Sequence, residues 1–209
     1  MTPKILIIDD DAILRAIAMA KLAEEGFLVI EAEDSATGIQ LVLDESPDLV
    51  LLDVVLPDTA GYQICQYLRS LPSAQHLPIM MLTGVDDTES IVQAYDHGAT
   101  DFFSKPINWK LLSYRIRYIL RAIRTVEQLA HSETALANAQ RLAHLGSWEW
   151  WPATHTTHRS DEYYRIYGMH RDSLASSMFA VLPQVHAEDQ ERVKTVLEAA
   201  MTKGQAYQH

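Results

Sequence analysis

Asp9, Asp10 and Asp11 directly follow the apolar run at residues 5–8, and Asp53 directly follows the one at 49–52. Thr83 ends the run that begins at residue 79, and Lys105 closes the segment 101–104. Carboxylates gathered at one edge of a sheet repel one another, so a cluster of this kind calls for a cation. An all-oxygen, hard-ligand site suits Mg²⁺, which takes one or two carboxylates together with waters and phosphate oxygens. A carboxylate can also act as a nucleophile and carry a phosphoryl group as an aspartyl phosphate. A neighbouring lysine would supply a second positive charge to a transfer that depends mainly on positioning and electrostatics.

That chemistry requires a fold that brings positions 9, 53, 83 and 105 to one place. The first half of the chain alternates in type. Five short apolar runs, at residues 5–8, 28–30, 49–52, 79–82 and 101–104, are separated by helix-period stretches at 12–25, 35–45, 62–69 and 88–97, with Gly26 and Gly98 as stops. Strands that are apolar on both faces and divided by helices imply a parallel sheet covered on both sides. In such sheets the ligand site lies beyond the carboxyl ends of the strands, where these polar residues collect.

In the segments ILIIDDD, LVLLDVVLPDTAGYQIC, PIMMLTG and GATDFFSKPI, residues 1–122 resemble the receiver domain of bacterial two-component response regulators. Asp53 and Thr83 lie 30 apart and Thr83 and Lys105 lie 22 apart, so order and spacing match as well as residue type. The resemblance implies a flavodoxin-like, doubly wound, five-stranded parallel sheet in the order 2-1-3-4-5. It implies that Asp53 is the phosphoacceptor, and that Asp9 and Asp10 hold Mg²⁺ together with Asp53 and the backbone carbonyl of Val55. Thr83 would bind a phosphoryl oxygen, Lys105 would pair with it, and Phe102 would be the aromatic that changes rotamer. Lys105–Pro106 resembles the family's cis peptide. The phosphoryl donor would be a cognate histidine kinase or phosphotransfer protein. Ala60 stands where the family often has Asp or Asn, and Val55 where it often has Met; neither departure touches the phosphorylation chemistry.

Any one Asp after a strand reads as a helix cap, the role expected of Asp11. A Mg²⁺-dependent phosphatase would share an Asp nucleophile on a parallel sheet, but such enzymes usually carry D-x-D after the first strand. An unphosphorylated pseudo-receiver scaffold is opposed by the intact set of Asp9, Asp10, Asp53, Thr83 and Lys105.

The charge shows where this first unit ends. Of the net −11, residues 1–106 hold 5 basic and 18 acidic residues and residues 107–209 hold 12 and 10, which is −13 against +2. A strongly acidic chain is a poor nonspecific binder of nucleic acid or anionic membrane. The basic stripe Lys110, Arg115, Arg117, Arg121 and Arg124 is read as a solvated face or a set of partners for the acidic half. No apolar run approaches the roughly 18 residues of a membrane span, and the N-terminus does not read as a secretory signal. With Cys65 as the single cysteine, a cytoplasmic location is expected.

Residues 108–145 form a long helical pattern without Gly or Pro. Leu112, Ile119, Val126 and Glu133 share one seven-residue register, and Ala122, Leu129, Leu136 and Ala143 a second, which suggests a self-associating connector. Two shorter helices with a break near Thr125 are the alternative. From about residue 139, AQRLAHLGSWEWWPATHTTHRSDEYYRIYG and the later VHAEDQERV resemble the first part of a PAS sensor domain. His155 and His158 lack the further ligands of a metal site, and Trp148, Trp150 and Trp151 read as core packing. The expected organisation is a receiver at 1–122, a helical linker at 123–145 that forms a homodimer, and a partial α+β PAS domain at 146–209. This is a phosphoacceptor module rather than an enzyme. Any catalytic output, whether cyclic-di-GMP chemistry or a histidine kinase, would lie beyond residue 209.

Overall fold

The computed structural model describes residues 2–84, 95–151, 153–154, 156–171 and 178–203. They form two compact units, Met1–Val126 and Glu127–His209, dividing inside the expected linker.

In the first unit five strands, β1 (Lys4–Ile8), β2 (Leu28–Ala32), β3 (Leu49–Asp53), β4 (Ile79–Thr83) and β5 (Asp101–Ser104), pair in parallel in the order β2-β1-β3-β4-β5. This is the flavodoxin-like order. Side chains alternate across a pleated strand, so each inner strand feeds two cores. Leu6, Ile8, Val50, Leu52, Ile79 and Met81 pack under α2 (Ser35–Glu45) and α3 (Gly61–Ser70). Ile5, Ile7, Leu49, Leu51, Met80 and Leu82 pack on the other face, under α1 (Ala12–Glu24) and the first turns of α4 (Trp109–Ala143). Full burial of each such side chain contributes about 1.5–3 kcal/mol, which explains why the inner runs are apolar without interruption. β2 is an edge strand and is only partly covered.

Asp11 caps α1, its side chain accepting from the amides of Ile13 and Leu14 at 2.9 and 3.2 Å. Asp34 caps α2 through Thr37 at 2.8 Å. The helix expected over 88–97 falls outside the described residues up to position 94, and the turn after it closes at Gly98 with φ 87°.

The connector is one helix from Trp109 to Ala143, with no break near Thr125. Asn108 caps its start, its side chain accepting from the Leu111 amide at 3.1 Å. Its seven-residue register divides by function. Leu112 and Ile119 are buried in the sheet's core, so the apolar seam left open begins at Val126. There Val126, Leu129 and Leu136 are 68%, 61% and 60% exposed.

In the second unit the helix ends at His144 (φ 52°), where the Leu145 amide reaches back to the Gln140 carbonyl at 2.9 Å. An antiparallel pair, β6 (Trp148–Trp151) and β7 (Thr156–Arg159), precedes α5 (Asp161–Tyr167), a 3₁₀ segment (Met178–Gln184) and α6 (Gln190–Lys203). Ser160 caps α5 by accepting from the Tyr163 amide at 3.2 Å, and Gly168 closes it in the left-handed region. Buried Glu162 is held by Arg165 at 2.7 Å. His158 lies against Trp151, ring centres 5.7 Å apart, while His155 is outside the described residues.

Candidate functional site

The strand order reverses between β1 and β3. The helix after β1 lies on one face of the sheet and the helix after β3 on the other, which opens a crevice between the two strand ends. Ile8 and Leu52 are paired in register, so Asp9 and Asp53 meet at this crevice. Lys105 reaches it from the far side of β4. Its Nζ donates to Asp9 Oδ2 at 2.8 Å and to Asp53 Oδ2 at 2.7 Å. The remaining carboxylate oxygens are also engaged: Asp9 Oδ1 accepts from the Asp11 amide at 2.9 Å and Asp53 Oδ1 from the Val55 amide at 3.3 Å.

Asp9 is fully buried, Asp53 nearly so, and Asp10 is exposed. Each of the three offers a carboxylate oxygen, and these atoms lie within 4.8 Å of one another, the sole cluster of its kind among the described residues. Hard oxygens at that separation fit a small divalent cation such as Mg²⁺. Burial and the neighbouring charges act on both partners of this ion pair. Burial raises the pKa of Asp53, the Lys105 hydrogen bond opposes that, and the charge of Asp9 raises it further. At Lys105 burial disfavours the cation, but the hydrogen bonds and charges of Asp53 and Asp9 outweigh it and raise its pKa.

Thr83 is buried at the tip of β4, opposite Ser104, and its carbonyl accepts from the Lys105 amide at 2.7 Å. The Lys105–Pro106 peptide is cis. Phe102 is half-buried on β5, packs on the core that α3 covers, and meets Tyr95 edge to face with centroids 6.0 Å apart. Val55 lies on the loop after Asp53 with its side chain exposed, bridged to Ala60.

Two residues at this site were not singled out by their sequence context. Gly61 starts α3 beneath Asp53, where a Cβ would stand 2.1 Å from the Asp53 carbonyl oxygen. Arg15 is buried below the β1–α1 turn, and its guanidinium donates to the carbonyls of Asp9 and Asp10 at 2.7 and 3.2 Å. A signal for Arg15 was present: it shares helix spacing with buried Ala18 and Leu22, an unusual face for a charge.

Elsewhere, the basic stripe turns out to be partly paired. Lys110 and Arg117 bind Glu25, and Arg115 binds Asp101 through two bonds of 2.6 and 3.0 Å. Cys65 is fully buried, and burial pushes its thiol pKa up. Among the described residues no helix is long and apolar enough to cross a membrane.

A doubly wound parallel sheet with three acids and a lysine at its switch point defines an α/β class with its polar site at the strand ends. Residues 5–117 match the response regulator receiver domain, and the chain belongs to that family. Residues 156–209 match the PAS fold. The chain is 36% identical over 132 residues to the DNA-binding dual master transcriptional regulator RpaA of Synechocystis sp., covering 63% of this chain and 55% of that protein. It is 31% identical over 135 residues to response regulator PleD of Caulobacter vibrioides, covering 65% of this chain and 30% of the relative. It thus spans about half or less of these curated relatives. A crystal structure of a putative response regulator from Chloroflexus aurantiacus superposes with a TM-score of 0.56 at 31% identity, over 58% of this chain and 99% of the other.

Proposed function

We propose that this receiver accepts a phosphoryl group on Asp53 from a histidine kinase or phosphotransfer protein, with Mg²⁺ held by Asp9, Asp10, Asp53 and the Val55 carbonyl. The observation that carries the reading is the shared lysine: Asp9 and Asp53 both accept from Lys105 Nζ, with Asp10 completing the acidic set. An Asp53 oxygen forms the new bond to phosphorus as the donor's phosphorus–nitrogen bond breaks and the imidazole leaves. Bound Mg²⁺ supplies positive charge for the phosphoryl oxygens. Lys105 stays cationic and pairs with the product, and the Thr83 hydroxyl takes a second phosphoryl oxygen. The added charge of nearly −2 and three acceptor oxygens then shift the population of conformers around Thr83 and Phe102.

With the phosphoryl group carried on the protein's own Asp53, the module is read as a switch rather than an enzyme. Its signal passes along α4 towards the PAS-fold segment, with the exposed seam from Val126 to Leu136 paired in a homodimer. Ion pairing of Lys110, Arg115 and Arg117 within the receiver argues for a structural use of the basic stripe over a nucleic-acid face.

The test is acetyl-phosphate labelling with Mg²⁺, followed by intact mass, on wild type and Asp53→Asn. The wild type should gain one phosphoryl group and the variant none. Absence of the gain in wild type, or equal gain in both, would overturn the assignment.

A further inference from the structure

Asp10 is an exposed carboxylate at the mouth of the pocket, and its direction depends on the backbone that carries it. The two peptide groups flanking its Cα are both held. The first, through the Asp9 carbonyl, accepts from Arg15 Nη1 at 2.7 Å; the second, through the Asp10 carbonyl, accepts from the same nitrogen at 3.2 Å. The second group is fixed at its other end too, since the Asp11 amide donates to Asp9 Oδ1 at 2.9 Å. With both planes set, the φ and ψ of Asp10 are set, and so is the line of its Cα–Cβ bond. Arg15 is itself braced: its Nε donates to Glu31 on β2 at 3.0 Å, and Glu33 lies 3.8 Å from Nη2.

We propose that Arg15 is a positioning residue for cation binding, holding the β1–α1 turn so that the Asp10 carboxylate converges with those of Asp9 and Asp53. This assignment rests on the cation-binding reading of the site. A buried cation beside a divalent-metal pocket is otherwise unfavourable. On charge alone, removing Arg15 would tighten metal binding, because one repulsive positive charge disappears and Glu31 is left unpaired. Positioning predicts the opposite sign. Groups that orient metal ligands from behind typically change affinity by about 10–100-fold when lost.

The experiment is Mn²⁺ titration of the full chain, followed by electron paramagnetic resonance of the free ion, on wild type, Arg15→Ala, Arg15→Lys and Asp10→Asn, with far-UV circular dichroism to establish folding. Arg15→Ala should bind about tenfold more weakly than wild type. Arg15→Lys keeps the charge but replaces the planar fork with a point donor. It should also bind more weakly, and it carries the test if the alanine variant does not fold. Equal or tighter binding by the folded Arg15 variants would overturn the assignment and leave the site reading intact. A wild type that binds no Mn²⁺, or binds it as Asp10→Asn does, would overturn the site reading and this assignment together.

Discussion

Gly61→Ala places a methyl group where the receiver has no room. The new Cβ would stand 2.1 Å from the Asp53 carbonyl oxygen and 3.0 Å from its carbonyl carbon, while Cβ contacts essentially never fall under 3.0 Å. The backbones of α3 and β3 must therefore part by about 0.9 Å, the difference between 3.0 and 2.1 Å. They are joined by the bond from the Gly61 amide to the Val54 carbonyl at 2.8 Å, so the strain falls on the peptide that follows Asp53. Overpacking of this kind costs about 1–3 kcal/mol of stability. A reacting group misplaced by about 1 Å can lose roughly 10²-fold in rate. The variant should remain folded by circular dichroism at low temperature, unfold at lower urea, and take up phosphoryl from acetyl phosphate roughly 10- to 100-fold more slowly. A folded variant that labels within twofold of wild type would refute the argument, because it would mean that the close approach does not set the position of Asp53.

Arg69→Ala removes a clamp whose guanidinium donates to the carbonyls of Gly98, Ala74 and Leu77 at 2.8, 3.1 and 2.7 Å. Urea unfolding should show a loss of about 1.5–3 kcal/mol, the scale of hydrogen bonds made by a charged group; an unchanged midpoint would count against it. In the second unit the Arg165 hydrogen bond, aided by His144 and opposed by burial, holds the Glu162 carboxyl below its ordinary 4.5. A depressed carboxyl stabilises the fold at pH above its unfolded value and loses that contribution as pH falls through the folded one. Tryptophan fluorescence during acid titration below about pH 4.5 should therefore show a steeper loss in wild type than in Glu162→Gln, and superimposable profiles would contradict this. Replacing Leu129 and Leu136 together by Glu should convert a dimer to a monomer in sedimentation velocity. A wild type that already sediments as a monomer would sink the seam reading.

The sequence by itself determined the strands and the identity of the polar residues that end them. Both follow from local rules: a strand buried on both faces must be apolar throughout, so the first polar residue after each inner run marks its carboxyl end. Asp9, Asp53 and Thr83 were legible for that reason, Lys105 from its order and spacing behind them, and Asp11 from the rule for helix caps. The tertiary structure decided what depends on neighbours remote in the chain. Leu112 and Ile119 look like the start of a heptad seam, yet the sheet supplies their partners, since periodicity records which face is apolar and not what covers it. Gly61 looks like a loop glycine until the Asp53 carbonyl is found against it. Arg15 reads as a misplaced charge until the Asp9 and Asp10 carbonyls and Glu31 converge on it. In each case a residue's role is defined by the groups packed against it, and those are known only once the strands have taken their order in the sheet.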